Sequence, residues 1–225
     1  KTEYRYYPGI SKSVESIRDT VKFGSGAVYQ VYPEIEFRLS SRLMLAPSLS
    51  LKMGVQRAYQ YLHMISNTTS MSPTDIWKLS DSYIKPQRGD QYSAGLYKNF
   101  PAKGLEASVE GYYKALGNVI DYKGGAELLM NGHLETDIIS GKGKAYGAEF
   151  MIKKQTGALT GWASYTYSRV FSKFNSRFDE ETINNGNYFP ANFDKPHDIK
   201  VVANYKLSRR LNTSANFDYS TGRPI

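Results

Sequence analysis

Histidines, cysteines and glycine-rich turns are where catalytic or metal chemistry would show first. The three histidines, His63, His133 and His197, lie far apart in the chain. His133-Leu134-Glu135 has the spacing of a deaminase histidine and its acid–base glutamate, but that chemistry needs a cysteine pair to hold zinc, and the chain has no Cys. Gly141-Lys142-Gly143-Lys144 places lysine after glycine, yet lacks the glycine four residues earlier and the following Ser or Thr that a phosphate-cradling loop requires. No Gly-x-Ser-x-Gly elbow is present. The expectation is a chain that is not an enzyme and holds no metal and no cofactor.

Two other groups of residues carry more information. The carboxylates Glu34, Glu36, Glu106, Glu110 and Glu149, with Arg38 and Lys52, fall on the polar side of segments that alternate apolar and polar. They can be hydrated, paired with the two cations, or exposed to a passing ligand. The aromatics Tyr59, Tyr61, His63, Trp77, Tyr83, Tyr188, Phe189 and Phe193 lie in the long stretches between those segments. Such rings either stack on a ligand or pin the loops together.

Period-two alternation positions both groups, because successive side chains of a strand point to opposite faces. The odd positions from Tyr29 to Leu39 are apolar, and after Ser40-Ser41 the pattern resumes from Leu43 to Val55. Three further pairs follow: Tyr92 to Phe100 with Leu105 to Tyr113, Tyr146 to Ile152 with Leu159 to Tyr167, and Ile199 to Leu207 with Leu211 to Tyr219. The reading is all-β, with about eight strands in four antiparallel hairpins. Pro33 and Pro47 interrupt the first two strands and are expected to mark bulges.

Connection lengths alternate. Turns near residues 40, 102, 156 and 209 are short, whereas 57–89, 117–143 and 170–196 are long. Unstructured loops of that length are uncommon in compact soluble domains, whereas outer-membrane barrels pair short periplasmic turns with long extracellular loops. Tyr29, Tyr92, Tyr113, Tyr146, Tyr167 and Tyr219 fall on the apolar side at the long-loop end, with Phe37, Phe100 and Tyr205 towards the short turns, as two interfacial girdles would. The 19 tyrosines against 10 phenylalanines fit wet boundaries. No run reaches the about 18 apolar residues of a membrane helix. A soluble antiparallel sandwich would alternate in the same way, and labelling of the apolar face separates the two. On the membrane reading Leu49→Arg impairs assembly and Ser50→Arg is tolerated. The net charge of +8 is scattered, so no nucleic-acid partner is expected.

Several segments carry a more specific likeness: Tyr61 to Asn67, Ile84 to Gln91, Gly111 to Lys114 with Asn118 to Tyr122, Gly143 to Glu149, Gly161 to Ser168, Phe189 to Asp198, and Tyr219 to Pro224. Over residues 28–225 the chain resembles the barrel of TonB-dependent outer-membrane receptors, particularly the Bacteroidetes type. The resemblance implies that residues 1–225 are part of a barrel of about 22 strands closed by a plug, with residues 1–27 as an extracellular loop or tail. It also implies active import of a ligand across the outer membrane, with siderophores, cobalamin, glycans and peptides as candidate classes. The partners it implies are outer-membrane lipid, TonB acting through the plug, the imported ligand and a surface lipoprotein. Asp194, Pro196 and His197 match a motif before a barrel strand, with Asp194 and His197 ordering that junction. A passive porin or translocator would use the same strands.

Overall fold

In the computed structural model, which describes residues 2–65, 76–126 and 131–224, strands dominate and helix is limited to single 3-10 turns. Ser66-Asn67 of the segments quoted above lie outside the described residues. The long strands are β3 (Phe37–Ala46), β4 (Leu49–Gln60), β7 (Gln87–Phe100), β8 (Leu105–Tyr122), β9 (Ile138–Lys154), β10 (Leu159–Lys173), β12 (His197–Lys206) and β13 (Asn212–Ser220). Two small hairpins, β1 (Thr2–Tyr6) with β2 (Ile17–Lys22) and β5 (Leu62–Ile65) with β6 (Ile76–Leu79), stand apart, and the short β11 (Phe189–Pro190) pairs with β10.

The eight long strands form one antiparallel sheet in the order β13-β12-β10-β9-β8-β7-β4-β3, which is not closed: β3 and β13 are its edges. Its register collects the apolar residues on one face. Leu51, Leu96, Val109, Phe150, Tyr165 and Ile199 lie on one rung across β4, β7, β8, β9, β10 and β12. Farther along, Val55, Tyr92, Tyr113, Tyr146 and Arg169 form another. A one-residue slip would turn every one of these side chains over, so the pairing is strongly specified only if both faces meet different solvents. Leu39, Leu43, Leu96, Phe150, Ile152 and Phe217 are all exposed, as is most of this face. A contiguous exposed apolar surface of this extent marks contact with a membrane or another macromolecule.

Buried hydrophobic packing lies instead at the end with the long connections, where Ile65, Ile84, Tyr122, Leu134 and Ile138 form a cluster. At the opposite end the connections are tight. Gly104 closes the β7–β8 turn at a φ of 56°, and a Cβ there would sit 1.9 Å from the Thr156 hydroxyl of the neighbouring β9–β10 turn. The two turns also share the Gln155 N–H to Gly104 carbonyl bond at 2.9 Å.

Four expectations need correction. The first hairpin turns at Pro47-Ser48, not at Ser40-Ser41, which lie inside β3. The bulge is at Leu45, between the Met44 and Ala46 pairs, while Pro47 sits in the turn and Pro33 lies between β2 and β3, outside any strand. Residues 29–36 therefore lie outside the strands: Tyr29 packs on Phe23 at 5.5 Å, and Phe37 sits opposite Arg57 at the long-connection end instead of the short-turn end. Finally, β8 and β9 run far into the stretch expected to be loop. A bulge between Gly117 and Val119, with Asn118 at a φ of 55°, breaks the period-two pattern there while the ladder continues to Tyr122 and Ile138.

Candidate ligand site at the long-connection end

The aromatics singled out by sequence do not converge. Tyr59 and Tyr188 line a cavity of about 620 Å³. Phe189 and Phe193 line a second of about 270 Å³. Tyr83 borders a third with Tyr6 and Lys12. Tyr61 and Trp77 are exposed. His63 is buried at 2% exposure, bonded at 3.0 Å to the Ser80 hydroxyl, so it is packed rather than displayed. Burial lowers its pKa, with Asp81 opposing.

Strand parity separates the first two cavities. Tyr59, Arg88, Gly117, Lys142 and Lys173 form a single rung, two steps beyond the Tyr92–Tyr113–Tyr146 rung and on the same apolar face. The larger cavity thus opens on the apolar side of the wall, above its apolar band. The second cavity is lined by Ser172, Val119, Asp121, Asn192 and Arg223 besides the two phenylalanines. Ser172 continues the β10 row that contains Thr166, partner of Glu149, so this cavity lies on the polar face. It forms because β11 docks on the end of β10, pairing Phe189 with Ser172.

Asp194 holds that docking. Its buried carboxylate accepts the Val170 N–H at 2.7 Å and Arg169 Nε at 2.9 Å. Ser168 N–H donates to the Pro196 carbonyl at 3.0 Å, and His197 N–H donates to the Thr221 hydroxyl at 3.1 Å while its ring stacks 6.0 Å from Tyr165. These bonds tie the incoming loop to β10 and β13.

The acidic residues spread differently from expectation. Glu106, Glu110 and Glu149 lie on the polar face, with Glu110 opposite Glu149. Among the described residues none of them pairs with Arg38 or Lys52. Instead Glu110 accepts the Tyr97 hydroxyl, Lys52 Nζ lies 3.9 Å from the Tyr97 ring centre, and Glu106 accepts Gln155 Nε2 at 2.8 Å. Arg38 pairs with Gln56 in register, also on the polar face. Glu34 and Glu36 precede the first paired residue of β3 and escape strand parity. Glu34 borders the apolar-side cavity beside Tyr59, and Glu36 accepts the Tyr59 N–H at 2.6 Å.

Sequence reasoning missed the polar centre of the long-connection end. Asp81 accepts the N–H groups of Tyr83 and Ile84, both at 3.0 Å, in an Asx-type turn that its position ahead of those residues could have signalled. Glu135 accepts the Tyr6 hydroxyl at 2.9 Å and pairs with Lys78 at 3.6 Å, joining the β1–β2 hairpin to the loop before β9. Burial, then the Glu135 charge, holds the Tyr6 hydroxyl protonated far above its ordinary range. Among the described residues no group of three or more His, Asp or Glu could hold a metal ion.

An antiparallel wall with an exposed apolar face, a polar reverse, tight turns at one end and structured connections at the other is the layout of part of an outer-membrane β-barrel. Residues 12–223 match the family described as TonB dependent receptor-like, beta-barrel, and the chain belongs to that family. The family is one of outer-membrane transporters, not enzymes. No curated protein matches the chain.

Proposed function

We propose that this chain is part of the wall of a barrel that imports a ligand across the outer membrane with energy passed through TonB, and that the ligand is met at the long-connection end on the polar face. The carrying observation is the cavity of about 270 Å³ on that face, where Phe189 and Phe193 stand beside Asp121, Asn192 and Arg223. Rings with a few polar groups are what a small organic ligand requires. Tyr83, near the cavity with Lys12, and exposed Tyr61 and Trp77 would make earlier contacts. The polar-face residues Glu106, Glu110, Glu149, Arg38 and Lys52 would line the lumen. Residues 1–27, including the β1–β2 hairpin, would sit on the extracellular side.

Siderophores, cobalamin, glycans and peptides are the candidate ligand classes, and a surface lipoprotein is a candidate partner, as in the Bacteroidetes type of the family. The barrel would be completed by strands added at β3 and β13 and closed by a plug. Accumulation of a labelled ferric siderophore, cobalamin, an oligosaccharide and an oligopeptide is measured in cells with and without TonB. Import of one of them that disappears without TonB supports the reading. Entry that persists unchanged would establish a passive pore instead.

A further inference from the structure

The apolar side of the wall changes character one rung beyond its tyrosines. Above Tyr92, Tyr113 and Tyr146 come Arg57, Asp90, Ala115, Lys144 and Phe171, and above these Tyr59, Arg88, Gly117, Lys142 and Lys173. Each rung adds about 7 Å along the strand. Two of these cations have a carboxylate, Arg57 and Arg88 sharing Asp90 at 2.5 and 3.2 Å, and on the tyrosine rung Arg169 holds Asp194 at 2.9 Å. Lys142, Lys144 and Lys173 have no ion pair among the described residues, although Glu34 also borders the cavity that contains Lys142 and Lys173. Rings hold two of the lysines in place. Tyr188 lies 4.3 Å from Lys144 Nζ and 5.6 Å from Lys173 Nζ, and Phe171 lies 5.5 Å from Lys144 Nζ.

Interfacial tyrosines mark headgroup depth, so lysines on the same face one and two rungs farther out stand where lipid phosphates lie. We infer that Lys142, Lys144 and Lys173, with the cavity bordered by Tyr59 and Tyr188, bind the phosphorylated headgroup of a lipid in the leaflet at the long-connection end. Its acyl chains would run down over Tyr146 and Phe150 along the apolar face. Three lysines on two adjacent rungs favour a group with multiple anionic oxygens over a single carboxylate. The inference rests on the membrane orientation proposed above but not on import, since a barrel that transports nothing would still hold this lipid.

The test uses the full-length protein in nanodiscs containing lipid A with both phosphates, or lipid A stripped of both, with retained lipid counted by native mass spectrometry. The unaltered protein is expected to retain the phosphorylated form only. Replacing Lys142, Lys144 and Lys173 together by Gln should reduce retention about fivefold per lysine, about a hundredfold in all. Replacement of all three by Arg should preserve it, as should Gln at the polar-face lysines Lys52, Lys114 and Lys153. Equal retention of the stripped lipid, equal loss in the polar-face variant, failure of the Arg variant to retain lipid, or full competition by inorganic phosphate at the concentration of the lipid would overturn the inference. TonB-dependent uptake measured on the same variants reports separately on transport.

Discussion

Asp194 and Arg169 meet at 2.9 Å at the end of β10, and the same carboxylate accepts the N–H of Val170 at 2.7 Å. The loop reaching β12 is thereby fastened to the strand before it. Asp194→Ala would leave a partly buried guanidinium and a backbone N–H without their acceptor, at a cost of roughly 2–4 kcal/mol. Hydrogen exchange of the Val170 amide should accelerate strongly in this variant and much less in Asp194→Asn, which keeps an acceptor oxygen. Unchanged exchange in the alanine variant would remove Asp194 from this role.

The β5–β6 hairpin should loosen on acidification. Burial holds the His63 pKa below its ordinary 6.5, so the unfolded hairpin binds a proton more readily than the folded one. Its contribution is complete above pH 6.5 and declines as the pH falls from there towards the lowered folded value. Exchange of amides in 62–65 and 77–79 compared between pH 7.5 and 5, after correction for intrinsic rates, should show the loosening. His63→Gln should flatten that dependence.

An arginine scan across the midplane rung reads the two faces directly. Val109→Arg would place a charge on the apolar face at a cost of roughly 2–4 kcal/mol, whereas Ser108→Arg on the polar face is expected to assemble. The contrast expected of Leu49 and Ser50 does not hold as a test, because Ser50 is 2% exposed opposite Tyr97 and has no room for Arg. Outer-membrane yield and heat-modifiable migration are the readouts, and equal yields for the two variants would refute the face assignment.

Asn118 occupies the left-handed region at a φ of 55°, and its Nδ2 donates to the Pro86 carbonyl at 2.8 Å. Asn118→Val should destabilise the outer ends of β8 and β9 by about 1–3 kcal/mol, since a β-branched side chain is strained there. Asn118→Gly should cost less, losing only the hydrogen bond. Limited proteolysis between 115 and 122 distinguishes the two.

Face assignment was legible in the sequence because it depends on residue type at alternate positions. It survived even where the turn was misplaced. A two-residue turn at Pro47-Ser48 pairs Ala46 with Leu49, even with odd, and the extra residue at the Leu45 bulge restores Leu43 to Leu51, odd with odd. The turn itself was not legible, since Ser40-Ser41 has turn chemistry and only pairing with β4 keeps it extended. The outer half of β8 was lost for the opposite reason: the bulge at Asn118 shifts the phase of alternation, and a shifted phase reads as loop. The ligand-side cavity depends on where β11 docks, a contact made by a buried carboxylate 24 residues after the amide it holds. Nothing local announces such a contact.

Strands β3 and β13 leave a full row of amides and carbonyls facing outward from the ends of the sheet. Kept from lipid and from strands that would satisfy them, these rows would recruit any extended polypeptide, another copy of this chain included. Burying both rows against neighbouring strands is therefore what closing the wall into a barrel accomplishes.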